Sequence, residues 1–204
     1  MRGTFEQMPD DELLNRYAAG DVEAFGVLLS RYERPLYNFV ARHVRELDTA
    51  ADLTQEAFAR VVQNASQFNR SSKFSTWLYT IARNLCIDHS RRMKHRRHAS
   101  LDAPHMAHDD HSAPLIERVA AKVPDAEIGA YSATLRERIA RAVDALPAEQ
   151  REVFLMRNLQ HMSFAEISVV VGAPENTVKS RMRYALERLQ EALSDCEELA
   201  HAEG

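Results

Sequence analysis

Hydrophobic residues along the chain recur at spacings of three and four, which is the period of amphipathic α-helices. In the N-terminal half this pattern predicts four helices, the first of which covers residues 10–19 and stops at Gly20. The second contains Pro35, where we expect a kink or a restart because proline removes a backbone donor. The third covers residues 49–68, and the fourth begins at Phe74.

The third and fourth predicted helices each carry one apolar stripe, and we expect both stripes to face a core. The stripe of the third comprises Leu53, Ala57, Phe58, Val61, Val62, Ala65 and Phe68. The stripe of the fourth comprises Phe74, Trp77, Leu78, Ile81 and Leu85. The phase of Trp77 therefore favours core packing over a role as an exposed stacking platform.

Helical periodicity returns in the C-terminal third of the chain. It predicts a helix over residues 134–146, after which Pro147 opens another helix at its first turn. A capping box at residues 163–166 starts a short helix that stops at Gly172, and Pro174 lies near the first turn of a long final helix. Two helices joined by a glycine-containing turn are typical of a helix-turn-helix. The residues expected to face inward are Leu135, Ile139, Ala142, Val143, Leu146, Val153, Phe154, Met156, Leu159, Ile167, Val170, Val171, Val178, Met182, Ala185, Leu186, Leu189 and Leu193.

The segment between the two helical parts is rich in proline, histidine and acidic residues and lacks a helical pattern, apart from a short piece at residues 115–122. We therefore predict two domains, 10–98 and 133–196, joined by a flexible linker at 99–132. No stretch shows the strict alternation of a half-buried strand, so the predicted fold class is all-α.

Three histidines of this segment, His105, His108 and His111, could hold a transition metal if the segment were helical. The proline-flanked, acid-rich context favours a solvated linker instead. We therefore predict no metal site there.

Composition narrows the class of protein further. The 204 residues are 45% hydrophobic and 27% charged, with a net charge of −4, which excludes a uniformly basic nucleic-acid coat. The two cysteines lack C-x-x-C spacing, which argues against zinc ribbons and disulfide scaffolds. No apolar run is long enough to span a bilayer and no signal peptide is evident, so we expect a cytoplasmic protein without membrane insertion.

Asp52, Gln55 and Glu56 cluster on one turn of the third predicted helix. Paired carboxylates can act as general acid and base, but the sequence offers no nucleophile, phosphate-binding glycine loop or metal-ligand spacing to accompany them. We therefore predict that the protein is not an enzyme and uses no cofactor. The three residues are interpreted as a patch for a basic protein partner, with a solvated surface as the alternative.

The final helix is expected to contact DNA through the face opposite its apolar stripe, because a recognition helix presents base-contacting side chains near its N-terminus. Lysine and arginine suit guanine or phosphate, and asparagine and serine suit adenine or backbone oxygens. An ordinary solvated helix face is the alternative. The outward residues, of which all but the first are candidate DNA contacts, are Glu175, Asn176, Thr177, Lys179, Ser180, Arg181, Arg183 and Tyr184.

The fourth helix is predicted to run into a basic stretch at residues 91–97, which would neutralise phosphates without choosing a sequence. Polar and aromatic groups off its apolar stripe, beside that stretch, are what unpaired bases need for stacking and hydrogen bonding. Those off-stripe residues are Tyr79, Thr80, Arg83, Asn84 and Ile87. The candidate DNA contacts of this helix are Arg83, Asn84, Asp88, Arg91 and Arg92.

Three motifs in this order resemble the extracytoplasmic-function (ECF) class of bacterial sigma factors. Residues 52–58 match the family's D-x-x-Q-E-x-F pattern, and residues 74–84 match F-x-x-W-L-x-x-I-A-x-N. Residues 146–189 match its region 4, including T-V-K-S-R at 177–181. The resemblance covers nearly the whole chain, and it implies a factor that directs RNA polymerase to promoters.

The resemblance also implies roles for individual residues. Asp52, Gln55 and Glu56 would dock on the clamp helices of the polymerase β′ subunit. Asn84 would contact a flipped base of the minus-10 element, with the joint at residues 67–73 as a lid. Region 4 would read the minus-35 element and touch the β flap. Many relatives have a basic residue where this chain has Tyr184, so its minus-35 preference is expected to differ.

The family further implies that an anti-sigma factor hides these surfaces, and the acid-rich tail at residues 191–203 could shield region 4 instead. Two rival interpretations remain at this stage. The chain could be a dimeric helix-turn-helix regulator that binds operator DNA without polymerase. It could also be a helical adaptor or ligand sensor that uses the histidine-rich segment.

Overall fold

The structure of the protein is a computed structural model that describes residues 5–44, 46–68, 72–99 and 130–202, with the backbone alone for 97–99, 130–134 and 195–202. These residues form eight α-helices and a 3-10 turn and contain no β-strand, which confirms the all-α prediction. The helices are α1 (Asp10–Ala18), α2 (Val22–Val44), α3 (Leu47–Asn64), α4 (Phe74–Ala99), α5 (Ala130–Ala145), α6 (Ala148–Leu159), α7 (Phe164–Val171) and α8 (Glu175–Ala202), with the 3-10 turn at Ala65–Gln67.

Two compact units make up the described residues. One contains α1 to α4 together with residues 165–172, and the other contains α5, α6 and α8. Two of the sequence predictions, the histidine segment and the helical piece at 115–122, lie outside the described residues, as do residues 69–71 of the joint at 67–73.

The first unit is held together by the burial of one face of each helix. α2 packs against α1, α3 and α4, and α3 also packs against α4. Aromatic rings tie these helices together, since Phe39 of α2 meets Tyr79 of α4 edge to face at a centroid distance of 5.0 Å. Fully buried side chains from the four helices include Leu13, Leu14, Leu28, Leu36, Val61, Phe74, Leu78 and Leu85.

Two adjacent acids at the start of α1 connect that helix to α2 and α4. Asp10 accepts hydrogen bonds from the Arg31 guanidinium and the Tyr32 hydroxyl, each at 2.5 Å. Asp11 accepts the backbone N–H of Phe74 at 2.9 Å and so satisfies one of the free donors at the start of α4. Burial, followed by the hydrogen bond to Asp10, raises the pKa of Tyr32 above its ordinary range.

Pro35 does not restart the second helix, contrary to one form of the sequence expectation. α2 runs without interruption from Val22 to Val44. A proline inside a helix costs about 3 kcal/mol or more through the lost hydrogen bond and the ring clash. The buried side chains of Leu28 before it and Leu36 after it hold both halves in one core, and this burial offsets the cost.

The second unit has its own core between α5, α6 and α8. Val143 and Leu146 lie in it with Leu155 of α6, and Ala185 and Leu189 of α8 close the cluster. The helix starts agree with the predicted ones, because α6 begins directly after Pro147 and α8 directly after Pro174.

Several predicted inward positions are wrong. Val62, Ile139, Leu159 and Leu186 are exposed, although each falls near an apolar stripe. Each of the four lies at the edge of the apolar stripe of its own helix, and no described element covers that edge. In contrast, Leu155 is buried although the sequence analysis did not select it.

Both predicted glycine stops are confirmed by the backbone. Gly20 and Gly172 follow α1 and α7 with φ of +104° and +67°, a region that residues with a Cβ rarely occupy. The N–H of Gly172 donates to the Ser168 carbonyl at 3.0 Å, which satisfies one of the last carbonyls of α7.

We expect Leu78→Ala to lower the free energy of unfolding by about 2–5 kcal/mol, because it opens a cavity in the α4 face of the core. Urea denaturation followed by circular dichroism measures this change. Val62→Ala removes two methyl groups from an exposed position and should cost less than about 0.5 kcal/mol. Equal costs for the two variants would contradict the assignment of Leu78 to the core.

Candidate nucleic-acid interface

The polar side of α4 brings the predicted minus-10 residues onto one stretch of helix surface. Asn84 lies one turn before Asp88 and two turns before Arg91, and all three side chains are exposed. Arg92 lies beside this row and donates from Nε to the backbone carbonyl of Asp88 at 3.3 Å. Arg83 is half-buried and makes interactions of its own. The row therefore offers an amide, then a carboxylate and then guanidinium groups.

The basic stretch continues this row past the helical core. Every described side chain from Arg91 to Arg96 is exposed, on all sides of the helix. The side chain of Arg97, the last residue of the predicted stretch, lies outside the described residues. A helix end that is solvated all round and cationic is suited to phosphate contacts without sequence choice.

Tyr79 is not available for base stacking, which corrects the sequence expectation for this residue. Its ring is fully buried against Phe39, and burial raises the pKa of its hydroxyl. The five-residue apolar stripe predicted for this helix was too narrow, because α2 covers a wider arc of α4.

Trp77 occupies an intermediate position. It is half-buried, with its ring 5.2 Å from that of Phe68 and 6.5 Å from that of Phe74. The expected core packing is present on the side of the Trp77 ring that contacts Phe68 and Phe74. Phe68 belongs to the joint at residues 67–73, so Trp77 lies beside the start of the predicted lid.

The outer face of α3 carries the predicted polymerase-binding patch. Asp52, Gln55 and Glu56 are all exposed there, at spacings that place them on adjoining turns. Glu56 also accepts a hydrogen bond from Arg60 at 2.7 Å. Across the described residues, no three histidine, cysteine or acidic side chains are close enough to hold a metal ion. This patch offers charge and hydrogen-bond acceptors to a partner.

The outward set on α8 is exposed, apart from Arg181. Lys179 pairs with Glu175 at 2.6 Å, and the guanidinium of Arg183 lies 4.8 Å from the centre of the Tyr184 ring. The other exposed candidates are Asn176, Thr177 and Ser180. The N-terminal half of this helix thus presents cations, an aromatic ring and small polar groups together.

Arg181 differs from Lys179 and Arg183 because its carboxylate partner lies on another helix of the unit. Its Nη2 lies 2.6 Å from Oε2 of Glu149, a residue in the first turn of α6. The sequence did not predict a role for Glu149, since 32 residues separate the pair and no local pattern joins them.

The turn before α7 contains a feature that the sequence analysis also missed. His161 has a φ of 52°, which is uncommon for a residue other than glycine. Arg157 donates to the Met162 carbonyl at 2.8 Å and lies 4.9 Å from the centre of the Phe164 ring. These contacts support the strained turn from both sides and set where α7 begins.

The joint between α7 and α8 is short and well defined. It consists of three residues, after which the N–H groups of Thr177 and Val178 donate to the Pro174 carbonyl at 2.9 and 3.1 Å. α7 buries Ile167 and Val170, while α8 begins immediately after the proline. This local order is that of the predicted helix-turn-helix.

Comparison with known proteins agrees with these features. The family described as Sigma-70 region 2 matches residues 28–97, and the family described as Sigma-70, region 4 matches residues 136–189. The ECF RNA polymerase sigma-E factor of Escherichia coli K12 is 31% identical over 185 residues, which cover 90% of this chain and 94% of the relative. The ECF RNA polymerase sigma factor SigW of Bacillus subtilis is 31% identical over 176 residues, which cover 86% and 92%.

Two solved structures share the fold. The sigma factor RpoE of Bartonella quintana, crystallised with the anti-sigma factor NepR, superposes with a TM-score of 0.62 at 23% identity, covering 83% of this chain and 96% of that one. CnrH, solved with the cytosolic domain of CnrY, gives a TM-score of 0.61 at 20% identity, covering 91% and 97%.

The chain belongs to the ECF family of RNA polymerase sigma factors. Proteins of this family direct core RNA polymerase to promoter DNA and are initiation factors rather than enzymes. The resemblance identified from the three motifs is therefore confirmed. Within the described residues, no helix combines enough length with enough apolar character to cross a membrane.

Proposed function

We propose that this sigma factor divides promoter recognition between α4 and α8, with α3 as its polymerase contact. The observation that carries the proposal is the exposed row from Asn84 to Arg91 on α4, which continues into a fully solvated cationic stretch. Opposite this row, Tyr79 and Ala82 are fully buried, so the row faces away from the core.

On α4, Asn84 would contact an unpaired base of the minus-10 element. Arg83, Asp88, Arg91 and Arg92 would border the same strand, and the guanidinium groups would neutralise its phosphates. The half-buried Trp77 would support the joint that covers the base. These roles need a single strand, and the polymerase supplies the setting in which the duplex opens.

On α8, the exposed set would read the minus-35 element in the major groove. Lys179 and Arg183 suit guanine or phosphate, and Asn176 suits adenine. Thr177, Ser180 and Arg181 would complete the contact to DNA. Tyr184 would add an aromatic ring to this surface and so alter the preferred sequence.

Asp52, Gln55 and Glu56 would contact the clamp helices of β′, while region 4 would contact the β flap. We place the two functional domains at 10–98 and 133–196, with 99–132 between them. The protein would act in the cytoplasm, as neither an enzyme nor a cofactor-dependent protein.

An anti-sigma factor is the proposed regulator. One similar solved structure is of a sigma factor in complex with an anti-sigma factor, which supports the idea that this chain also has such a partner. Such a partner would cover the exposed faces of α3, α4 or α8. Purification of this chain from its native host, followed by identification of the proteins that remain bound to it, would identify the partner.

We expect promoter-specific transcription only when this chain and core RNA polymerase are combined. Run-off transcription from a randomised promoter library measures this, and sequencing of the products defines the two elements. A chain that binds duplex DNA tightly at a twofold site, and does not alter transcription by the core enzyme, would instead be the dimeric regulator.

The division of roles predicts different defects for two variants. Asn84→Ala should lower promoter opening about tenfold or more, because it removes a hydrogen bond made only to the unpaired base. Lys179→Ala should weaken duplex binding with little effect on opening. Permanganate reactivity of thymines reports opening, and footprinting of the minus-35 region reports binding. Equal effects of both variants on both readouts would contradict the division.

The α3 patch predicts a charge-dependent contact with polymerase. Glu56→Lys should weaken the binding of core enzyme by about tenfold, because it places a cation against a basic partner. The matched control is Glu12→Lys on α1, which makes the same charge change at an exposed position outside the patch. Competition for core enzyme against labelled wild-type chain measures both, and equal losses would remove the patch from the contact.

A further inference from the structure

Lys179, Arg181 and Arg183 on the proposed recognition surface of α8 each pair with an acidic residue, but the partner of one of them lies on a different helix. Lys179 pairs with Glu175, and Arg183 lies 3.8 Å from Glu187, each four residues away on the same exposed helix. Arg181 instead pairs with Glu149 of α6, at 2.6 Å. Its partner therefore comes from a separate helix of the same unit.

Burial separates this pair from the other two. The side chain of Arg181 is 22% exposed, whereas those of Lys179 and Arg183 are 51% and 64% exposed. Arg181 lies three residues after Val178 and four before Ala185, both fully buried. It therefore borders the buried stripe of α8, and packing of its stem against the unit directs the guanidinium toward α6.

These differences decide which cations are free for DNA. An exposed pair within one helix is weak and opens readily, so Lys179 and Arg183 can turn to a phosphate at little cost. Arg181 is partly desolvated and held in a charge-assisted hydrogen bond between two packed helices, which is a stronger restraint. Binding a phosphate would require Arg181 to leave Glu149.

We propose that Glu149 acts as an internal competitor of the DNA phosphate for Arg181, and so limits how tightly the recognition helix binds DNA. The proposal rests on the proposed function, in that α8 must lie against DNA. Glu149 is itself 69% exposed, so its charge also faces the same approaching strand. Removal of this carboxylate would free the Arg181 guanidinium to bind a phosphate and would also remove a negative charge that repels the DNA.

The test measures binding of the full chain to a mixed-sequence DNA duplex of about 30 base pairs by fluorescence anisotropy, over a series of salt concentrations. Glu149→Gln should bind about fivefold more tightly at about 0.1 M salt. The slope of log K against log salt should become steeper by about 0.9, the value for one additional phosphate contact. Glutamine keeps the size of the side chain and removes only its charge.

Two controls separate this effect from simpler ones. Glu137→Gln makes the same charge change on α5, where the carboxylate pairs with Arg141, and should alter the affinity less than twofold. In an Arg181→Gln background, Glu149→Gln should lose its effect on the salt slope, because the released cation is gone. Circular dichroism on all variants should show unchanged helix content.

The proposal is overturned if Glu149→Gln binds with the wild-type affinity and slope, if it binds more weakly, or if its steeper slope persists without Arg181. It is also overturned if no variant binds DNA at any salt concentration. If no variant binds DNA and the chain also fails to support transcription by core polymerase, the proposed function is overturned as well. If the wild-type chain binds DNA and Glu149→Gln binds with the same affinity and salt slope, this inference alone is overturned.

Discussion

Burial of one face of α4 against α2 and α3 is the constraint on which the proposed minus-10 surface depends. Phe74, Leu78 and Leu85 have no exposed surface, and Tyr79 joins them through its contact with Phe39. Because a helix is rigid along its length, these anchors set the direction of every other side chain on it. The row at Asn84 faces solvent as a consequence of that packing.

The start of α4 is held by hydrogen bonds to acidic side chains of α1. Asp11 accepts the first amide of the helix, while its neighbour Asp10 holds Arg31 and Tyr32 of α2. Two consecutive carboxylates thus connect three helices at one end of the unit. The buried apolar face of α4 then holds the rest of the helix against its neighbours. The polar contacts at its start and the apolar contacts along it therefore favour the same position of the helix.

Charge is unevenly distributed in the protein. The net charge of −4 coexists with an exposed basic stretch on α4 and with Lys179, Arg181 and Arg183 on α8. Each of these three α8 residues has a carboxylate within 4 Å, and the pairs differ in how easily DNA can replace that carboxylate. Such an arrangement favours weak DNA binding by the free chain and stronger binding once polymerase holds both elements in place.

Much of this protein follows from its sequence alone. The spacing of apolar residues predicted the helices, and Gly20, Pro147 and Gly172 marked ends that the backbone confirms, because these residues act within a few positions of themselves. The ECF motifs are equally local and were sufficient to identify the family. The exposed positions of Asp52, Glu56 and Asn84 also followed from helical phase.

Tertiary structure decided what depends on neighbours distant in the chain. Pro35 stays inside one helix because residues on both sides of it are buried together, and Tyr79 is lost to base stacking because α2 covers its side of α4. Leu186 is exposed because no described helix reaches it. The pairing of Arg181 with Glu149 likewise joins two helices 32 residues apart. Periodicity reports the direction of a side chain, whereas only packing determines what that side chain meets.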